Sequence, residues 1–155
     1  ANRTVPDYLE SGEWRPRTSV PTLASAMDVG NPSNMERLRH LYPDWHALRT
    51  TLSATAVTDE QIRARIRTDR AAFGRTWCPH TAVAAEVWTQ LPRARREAGP
   101  WVIVATAHPA KFPETVEPLI GERVPVPPAL ARLLALPRQV TPIAATLDAL
   151  RSALA

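Results

Sequence analysis

Sixteen of the 155 residues are proline, and this limits which regular elements the chain can form. Proline fixes its own φ angle and has no backbone N–H, so it interrupts helices and is excluded from central strands. Pro6, Pro16, Pro21 and Pro32 fall within the first forty residues. Loops and short elements are therefore predicted for that stretch.

Helix boundaries are visible elsewhere in the sequence. Thr58 is followed three residues later by Gln61, which is the pattern of a capping box. This predicts a helix that runs to about Phe73 and ends at Gly74. A further helix is predicted from about residue 80 to residue 91, before the next proline.

One apolar run stands apart from this helical pattern. Residues 101–105 read W-V-I-V-A, and a continuous run with β-branched residues is typical of a strand that is buried on both faces. A polar turn over residues 106–109 and a helix that ends before Gly121 follow it. The predicted fold class is therefore α/β and helix-rich, with a central buried strand at 101–106. Ligands in such folds lie at the carboxyl ends of strands.

The composition points to a folded protein, with 45% apolar and 22% charged residues. No segment approaches the roughly 20 consecutive apolar residues that cross a bilayer, and the first residues lack the pattern of a signal peptide. The single Cys78 cannot form an internal disulfide, which fits a reducing compartment. A cytoplasmic location without membrane contact is expected.

The net charge of +4 leaves two interpretations open. Arg63, Arg67 and Arg70 would share one polar side of the predicted helix, where a solvated face is the simpler explanation. The alternative is a stand-alone helical interaction or nucleic-acid-binding module that uses the Arg-rich helix 59–73. Because no nucleic-acid-binding motif accompanies the arginines, the solvated face is favoured and no nucleic-acid partner is expected.

Metal binding is not predicted. Cys78 and His80 form a single C-x-H pair, whereas a structural zinc site needs four ligands, usually in paired short spacings. A buried or capping role is expected for both residues.

Several motifs carry a family resemblance. Residues 25–34 read S-A-M-D-V-G-N-P-S-N, residues 79–84 read P-H-T-A-V-A, and residues 106–112 read T-A-H-P-A-K-F. Asn2 also precedes a Val-Pro pair at residues 5–6. In their order and spacing these segments resemble the C-terminal third of threonine synthases of the bacterial and fungal type. The resemblance covers essentially the whole chain.

The resemblance implies a parent enzyme that converts O-phosphohomoserine and water into L-threonine and phosphate with pyridoxal 5'-phosphate. Such enzymes are lyases of threonine biosynthesis with the fold-type-II architecture. It also implies that residues 1–124 belong to the C-terminal part of the catalytic domain. Residues 125–155 would form a Pro-rich, helical C-terminal extension.

The same resemblance implies what this chain does not contain. The family's Schiff-base lysine and Gly-rich loop lie in the N-terminal half, and Lys111 belongs to the T-A-H-P-A-K-F motif instead. No catalytic residue is therefore expected in this chain, which should be inactive without the missing N-terminal part of the enzyme.

The family motifs imply one residue on the cofactor side and four on the substrate side. The hydroxyl of Thr106 would face the ring nitrogen of the cofactor. The substrate-side candidates are Ser33, Asn34, His108 and Lys111, with Lys111 as a point charge toward a phosphate.

Structural roles are the alternatives for some of these residues. His108 and Lys111 could cap the helix that follows them and pair with Glu114. Asp28, in the A-M-D motif, could orient a neighbouring loop rather than touch substrate.

Overall fold

The computed structural model describes residues 2–155, and the regular structure within that range is helical. Two short 3-10 turns cover Ser25–Met27 and Pro109–Lys111. The α-helices are α1 (Thr4–Ser11), α2 (Met35–Leu41), α3 (Trp45–Thr51), α4 (Asp59–Phe73), α5 (Pro79–Gln90), α6 (Arg93–Glu97), α7 (Pro113–Ile120), α8 (Pro128–Leu134) and α9 (Leu147–Leu154). None of the described helices is long and apolar enough to cross a membrane.

The prediction of an α/β fold with a buried strand at 101–106 is wrong. Residues 101–106 form no strand, and Trp101, Val102 and Val104 are 45%, 86% and 70% exposed. A strand needs neighbouring strands to bond its backbone N–H and C=O groups. Residues 2–155 provide no such neighbour. The apolar composition of the run predicted burial, but burial depends on partners that the composition cannot specify.

The termini of α4 follow from the local sequence as predicted. The Thr58 side chain accepts a hydrogen bond from the backbone N–H of Gln61, and the Gln61 side chain accepts one from the Thr58 backbone. At the other end Gly74 has a φ of 65°, the left-handed conformation that favours glycine. The capping-box prediction is confirmed.

Helix α1 lies where loops and short elements were predicted. Pro6 occupies its first turn, where a missing N–H costs no intrahelical hydrogen bond. Gly12 ends the helix in the left-handed conformation, and its N–H donates to the carbonyl of Tyr8. Proline within the first turn is therefore compatible with a helix.

Helices α1, α2 and α3 share one apolar cluster. Its buried members are Tyr8, Leu9, Met35 and Leu48. The indole N–H of Trp45 donates to the carbonyl of Tyr8 at 3.0 Å and thereby ties α3 to α1.

Helices α4, α5 and α7 form a second packed group, which positions the residues considered below. Helix α4 packs against both of the others. Ile62 and Ile66 on α4, Ala82 on α5 and Val116 on α7 are at most 1% exposed. Burial of these side chains supplies the main stabilisation of the group.

The chain divides into two compact units, residues 1–124 and 125–155. The second unit contains α8 and α9, and none of its residues is buried. The assignment of the first unit to a catalytic domain and of the second to a C-terminal extension stays a prediction.

Candidate functional site

The imidazole of His80 joins three segments that are far apart in sequence. Its Nε2 atom accepts a hydrogen bond from the backbone N–H of Ala26 at 3.0 Å. Its ring lies 5.1 Å from the ring of Phe112, measured between centroids. The segments 25–34, 79–84 and 106–112, which carry the motifs described above, therefore meet around one side chain.

The start of α5 fixes His80 in this position. Cys78 is the N-cap residue, and its Sγ accepts from the backbone N–H of Thr81. Pro79 occupies the first helical position, where its fixed φ suits a helix. His80 itself is only 5% exposed, so its ring has little freedom.

The environment of His80 favours the neutral imidazole. Because Nε2 accepts a hydrogen bond, the proton of the neutral ring belongs on Nδ1, which is buried and has no hydrogen-bond partner within residues 2–155. Burial lowers the pKa of His80 below its ordinary value, and the positive charge of Lys111 lowers it further. The carboxylate of Asp28 acts in the opposite direction.

The loop that contains the A-M-D motif is held by Asp28. The carboxylate of Asp28 accepts from the backbone N–H of Thr22 at 2.8 Å and from its hydroxyl at 2.6 Å. Asn2 donates to the same carboxylate at 3.2 Å and also exchanges two hydrogen bonds with the backbone of Val20. Asp28 therefore orients the loop, as one of its two predicted roles requires.

Gly30 fixes the other side of this loop. Its carbonyl accepts from the Thr4 hydroxyl at 2.7 Å, and its N–H donates to the Ser19 hydroxyl at 2.9 Å. A Cβ atom at position 30 would lie 1.9 Å from the carbonyl oxygen of Arg17. Only glycine allows this approach of the two backbones.

Sequence comparisons bear on these segments. Residues 81–154 match the family model described as "Threonine synthase, C-terminal". Threonine synthase of Serratia marcescens is 39% identical over 137 residues, which make up 88% of this chain and 31% of that protein. The Escherichia coli K12 protein is 36% identical over the same shares.

The comparison of structures agrees with the comparison of sequences. The crystal structure of threonine synthase from Escherichia coli matches 99% of this chain with a TM-score of 0.81 and 35% identity. The resemblance to threonine synthases is confirmed, and it concerns their C-terminal region. This chain covers 35% of that crystallised chain.

A second solved structure is also similar, over a smaller part of the chain. It is the pyridoxal-phosphate-bound threonine synthase from Brucella melitensis, with a TM-score of 0.65, 27% identity and coverage of 84% of this chain and 33% of that one. The chain thus spans about one third of the length of the threonine synthases it matches.

The T-A-H-P-A-K-F segment contains three exposed polar residues, Thr106, His108 and Lys111. Thr106 is exposed, and its hydroxyl makes no hydrogen bond within residues 2–155. The His108 Nδ1 atom accepts from the backbone N–H of Ala110 at 3.1 Å and so caps the 3-10 turn. Lys111 is exposed and forms no ion pair with Glu114 among the described residues. The predicted cap at His108 is therefore present, and the predicted pair with Glu114 is not.

Ser33 and Asn34 of the same family pattern lie at the start of α2. Both are exposed, and Asn34 occupies the N-cap position without a side-chain capping bond. No hydrogen bond joins either side chain to His80, His108 or Lys111. Their place on the substrate side stays a prediction.

Two of the residues that organise this site were not identified from the sequence. The sequence alone predicts only a buried or capping role for His80 and no particular role for Gly30. The signal for His80 was its position inside a family motif directly after a proline at the start of a helix. No sequence signal gives the approach of residue 30 to residue 17.

Two arginines of the Arg-rich helix α4 form ion pairs, one of them partly within the helix. Arg65 pairs with Asp69 and with Glu86, each at 2.9 Å, and Arg70 pairs with Glu122. The comparisons contain no support for the nucleic-acid-binding alternative.

Proposed function

We propose that this chain forms one wall of the active site of a threonine synthase. The reaction is the conversion of O-phosphohomoserine and water into L-threonine and phosphate, in a cytoplasmic enzyme of the fold-type-II group. The observation that carries the proposal is the convergence of three threonine synthase motifs around His80. These motifs share no helix, so only the fold brings them together.

The residues present fit one side of a pyridoxal-phosphate site. Thr106 offers an exposed hydroxyl without an internal hydrogen-bond partner, and a neutral hydroxyl can donate to or accept from a ring nitrogen. Residues that would bind the cofactor phosphate are expected on the N-terminal part of the enzyme. We propose that this part forms the rest of the active site. When bound, pyridoxal phosphate supplies the electron sink for the reaction.

The other residues of the wall would bind the substrate or orient the A-M-D loop. Lys111 carries a compact positive charge at the surface that helps to lower the pKa of His80, and this charge can attract the phosphate group of the substrate. Ser33, Asn34 and His108 are proposed to line the substrate side. His80 acts through the backbone of Ala26, because its Nε2 atom holds the A-M-D loop in place.

A chimera tests this proposal. Residues of this chain replace the matching region of the Escherichia coli threonine synthase, and phosphate release from O-phosphohomoserine is measured on folded, cofactor-loaded protein. We expect activity in the chimera. Absence of phosphate release would contradict the assignment of the activity.

The role of Thr106 is tested in the same chimera. Thr106→Val should lower kcat by about tenfold or more, since a lost hydrogen bond of about 1.4 kcal/mol in the transition state has that effect. Thr106→Ser keeps the hydroxyl and should retain most of the activity. Thr50→Val, on the exposed surface of α3, is the matched control and should be neutral. Equal activity of Thr106→Val and the unmodified chimera would rule out the proposed role.

A further inference from the structure

A cleft of about 700 Å³ lies on the side of α4 and α5 that is lined by aromatic and positively charged side chains. Trp77, Trp88 and Phe73 form its flat apolar walls, and Arg75 and Arg96 contribute positive charges beside the paired Arg65 and Asp69. The volume is that of a site for a small ligand, and such sites combine apolar walls with a few polar groups.

Each of the two arginines lies over the ring of a tryptophan at a distance typical of a cation–π contact. The guanidinium carbon of Arg96 lies 5.2 Å from the ring centroid of Trp88, and that of Arg75 lies 5.8 Å from the ring centroid of Trp77. A cation–π contact uses the charge of a guanidinium and none of its N–H groups as hydrogen-bond donors. Those N–H groups can still donate to a carboxylate or phosphate through two parallel hydrogen bonds.

Neither arginine is neutralised by a neighbour. No ion pair between residues 2 and 155 includes Arg75 or Arg96. The one carboxylate that lines the cleft, that of Asp69, accepts from Arg65 at 2.9 Å and from the Trp77 indole at 2.7 Å. It is therefore committed to other partners, and it holds the Trp77 ring in place.

Two donors of this cleft lack acceptors. The indole N–H of Trp88 and the Nε of Arg96 are buried and donate no hydrogen bond to the part of the chain described here. Buried donors are normally paired in folded proteins. This region therefore has two buried donors that a ligand acceptor could satisfy.

We propose that the cleft binds a small aromatic oxyanion. Its flat ring would pack against the apolar walls, and its carboxylate or phosphate would accept hydrogen bonds from Arg75 and Arg96. Aromatic carboxylates and aromatic phosphates both meet this requirement, because each joins a ring to an anionic group with two or more oxygen acceptors.

The five tryptophans of the chain allow a site-resolved test. Phenyl phosphate and benzoate are titrated into the whole purified chain, and the indole N–H signals are followed by ¹H–¹⁵N NMR. Signals of Trp77 and Trp88 should shift with saturation, whereas those of Trp14 and Trp45, in the α1–α3 cluster, should not. Inorganic phosphate tests the anion alone, and benzyl alcohol tests the ring alone. Both should bind more weakly than phenyl phosphate.

Arginine variants distinguish specific binding in the cleft from a general electrostatic attraction of anions to the positively charged surface. Arg96→Gln should weaken phenyl phosphate binding by about tenfold or more, because it removes the charged donor pair. Arg96→Lys keeps the charge but not the planar donors, and it should also weaken binding. Arg93→Gln, on the same helix and 81% exposed in its side chain, should change binding by less than about twofold.

Three results would overturn the proposal. These are no shift of Trp77 and Trp88, equal shifts of all five indoles, or equal losses in Arg93→Gln and Arg96→Gln. Circular dichroism of each variant verifies that it is folded, and Arg75→Gln provides a second, independent variant if Arg96→Gln unfolds the chain.

Discussion

Helices α4 and α9 begin with the same kind of cap but differ in whether their apolar side chains are buried. Thr58 caps α4 and Thr146 caps α9, each by accepting a hydrogen bond from the backbone N–H three residues later. Both helices carry apolar residues at helical spacing. On α4 Ile66 is fully buried, whereas on α9 Leu147 and Leu154 are 61% and 79% exposed.

The difference shows what local sequence determines and what it leaves open. A cap and an apolar period are enough to specify a helix and its apolar face. Burial of that face requires other surfaces, and α5 and α7 supply them for α4. The second unit, residues 125–155, buries no residue of its own. Most helical stability in proteins comes from such packing, so the two helices should respond differently to the same change.

The largest contrast is expected for apolar truncation. Ile66→Ala should lower the free energy of unfolding by about 2–5 kcal/mol, because it removes a fully buried side chain and leaves a cavity. Leu147→Ala removes an exposed side chain and should change it by less than about 0.5 kcal/mol. Urea unfolding followed by circular dichroism measures both. A loss of similar size in Leu147→Ala would mean that α9 is covered in solution.

A smaller contrast is expected at the two caps. Thr58→Ala should cost about 1 kcal/mol, because the capping hydrogen bond of a packed helix is lost. Thr146→Ala removes the corresponding bond of α9 and should reduce helix content there without a comparable change in the free energy of unfolding. Equal effects in the same urea titrations would contradict the distinction between a packed and an unpacked helix.

The pH dependence of stability should also distinguish the units, since all four histidines lie before residue 125. The pKa of His80 is lowered in the folded state, mainly by burial. The unfolded state therefore binds a proton more readily, so stability is fully present above about pH 6.5 and falls as the pH is lowered through the histidine range. His80→Gln should reduce this slope, whereas His46→Gln, at an exposed position, is the control. The free energy of unfolding is measured with urea between pH 7 and pH 5, about the range in which histidine titrates. An unchanged slope in His80→Gln would show that His80 does not cause the pH dependence.

The fold could be predicted from sequence where the determining interactions are local. The capping box of α4 and the glycine after Phe73 specify the ends of that helix within a few residues. The run at 101–105 has the composition of a buried strand, yet its state depends on hydrogen-bonding partners outside the run. A pattern within one segment cannot supply those partners, and the predicted strand was wrong for that reason.

The candidate site was predictable as a set of motifs but not as a geometry. The resemblance identified the segments around Asp28, His80 and Thr106. It did not give the hydrogen bond from Ala26 to His80, because a contact across 54 residues leaves no local signal. The need for glycine at position 30 likewise depends on a backbone that arrives from residue 17.

The contact between Ala26 and His80 also has a kinetic consequence. The helices that flank it can form from neighbouring residues, whereas this hydrogen bond must wait until a long stretch of chain has closed into a loop. Contacts of high sequence separation slow folding and are made after local ones. The junction of the three motifs should therefore be among the last parts of the first unit to become ordered as the chain folds.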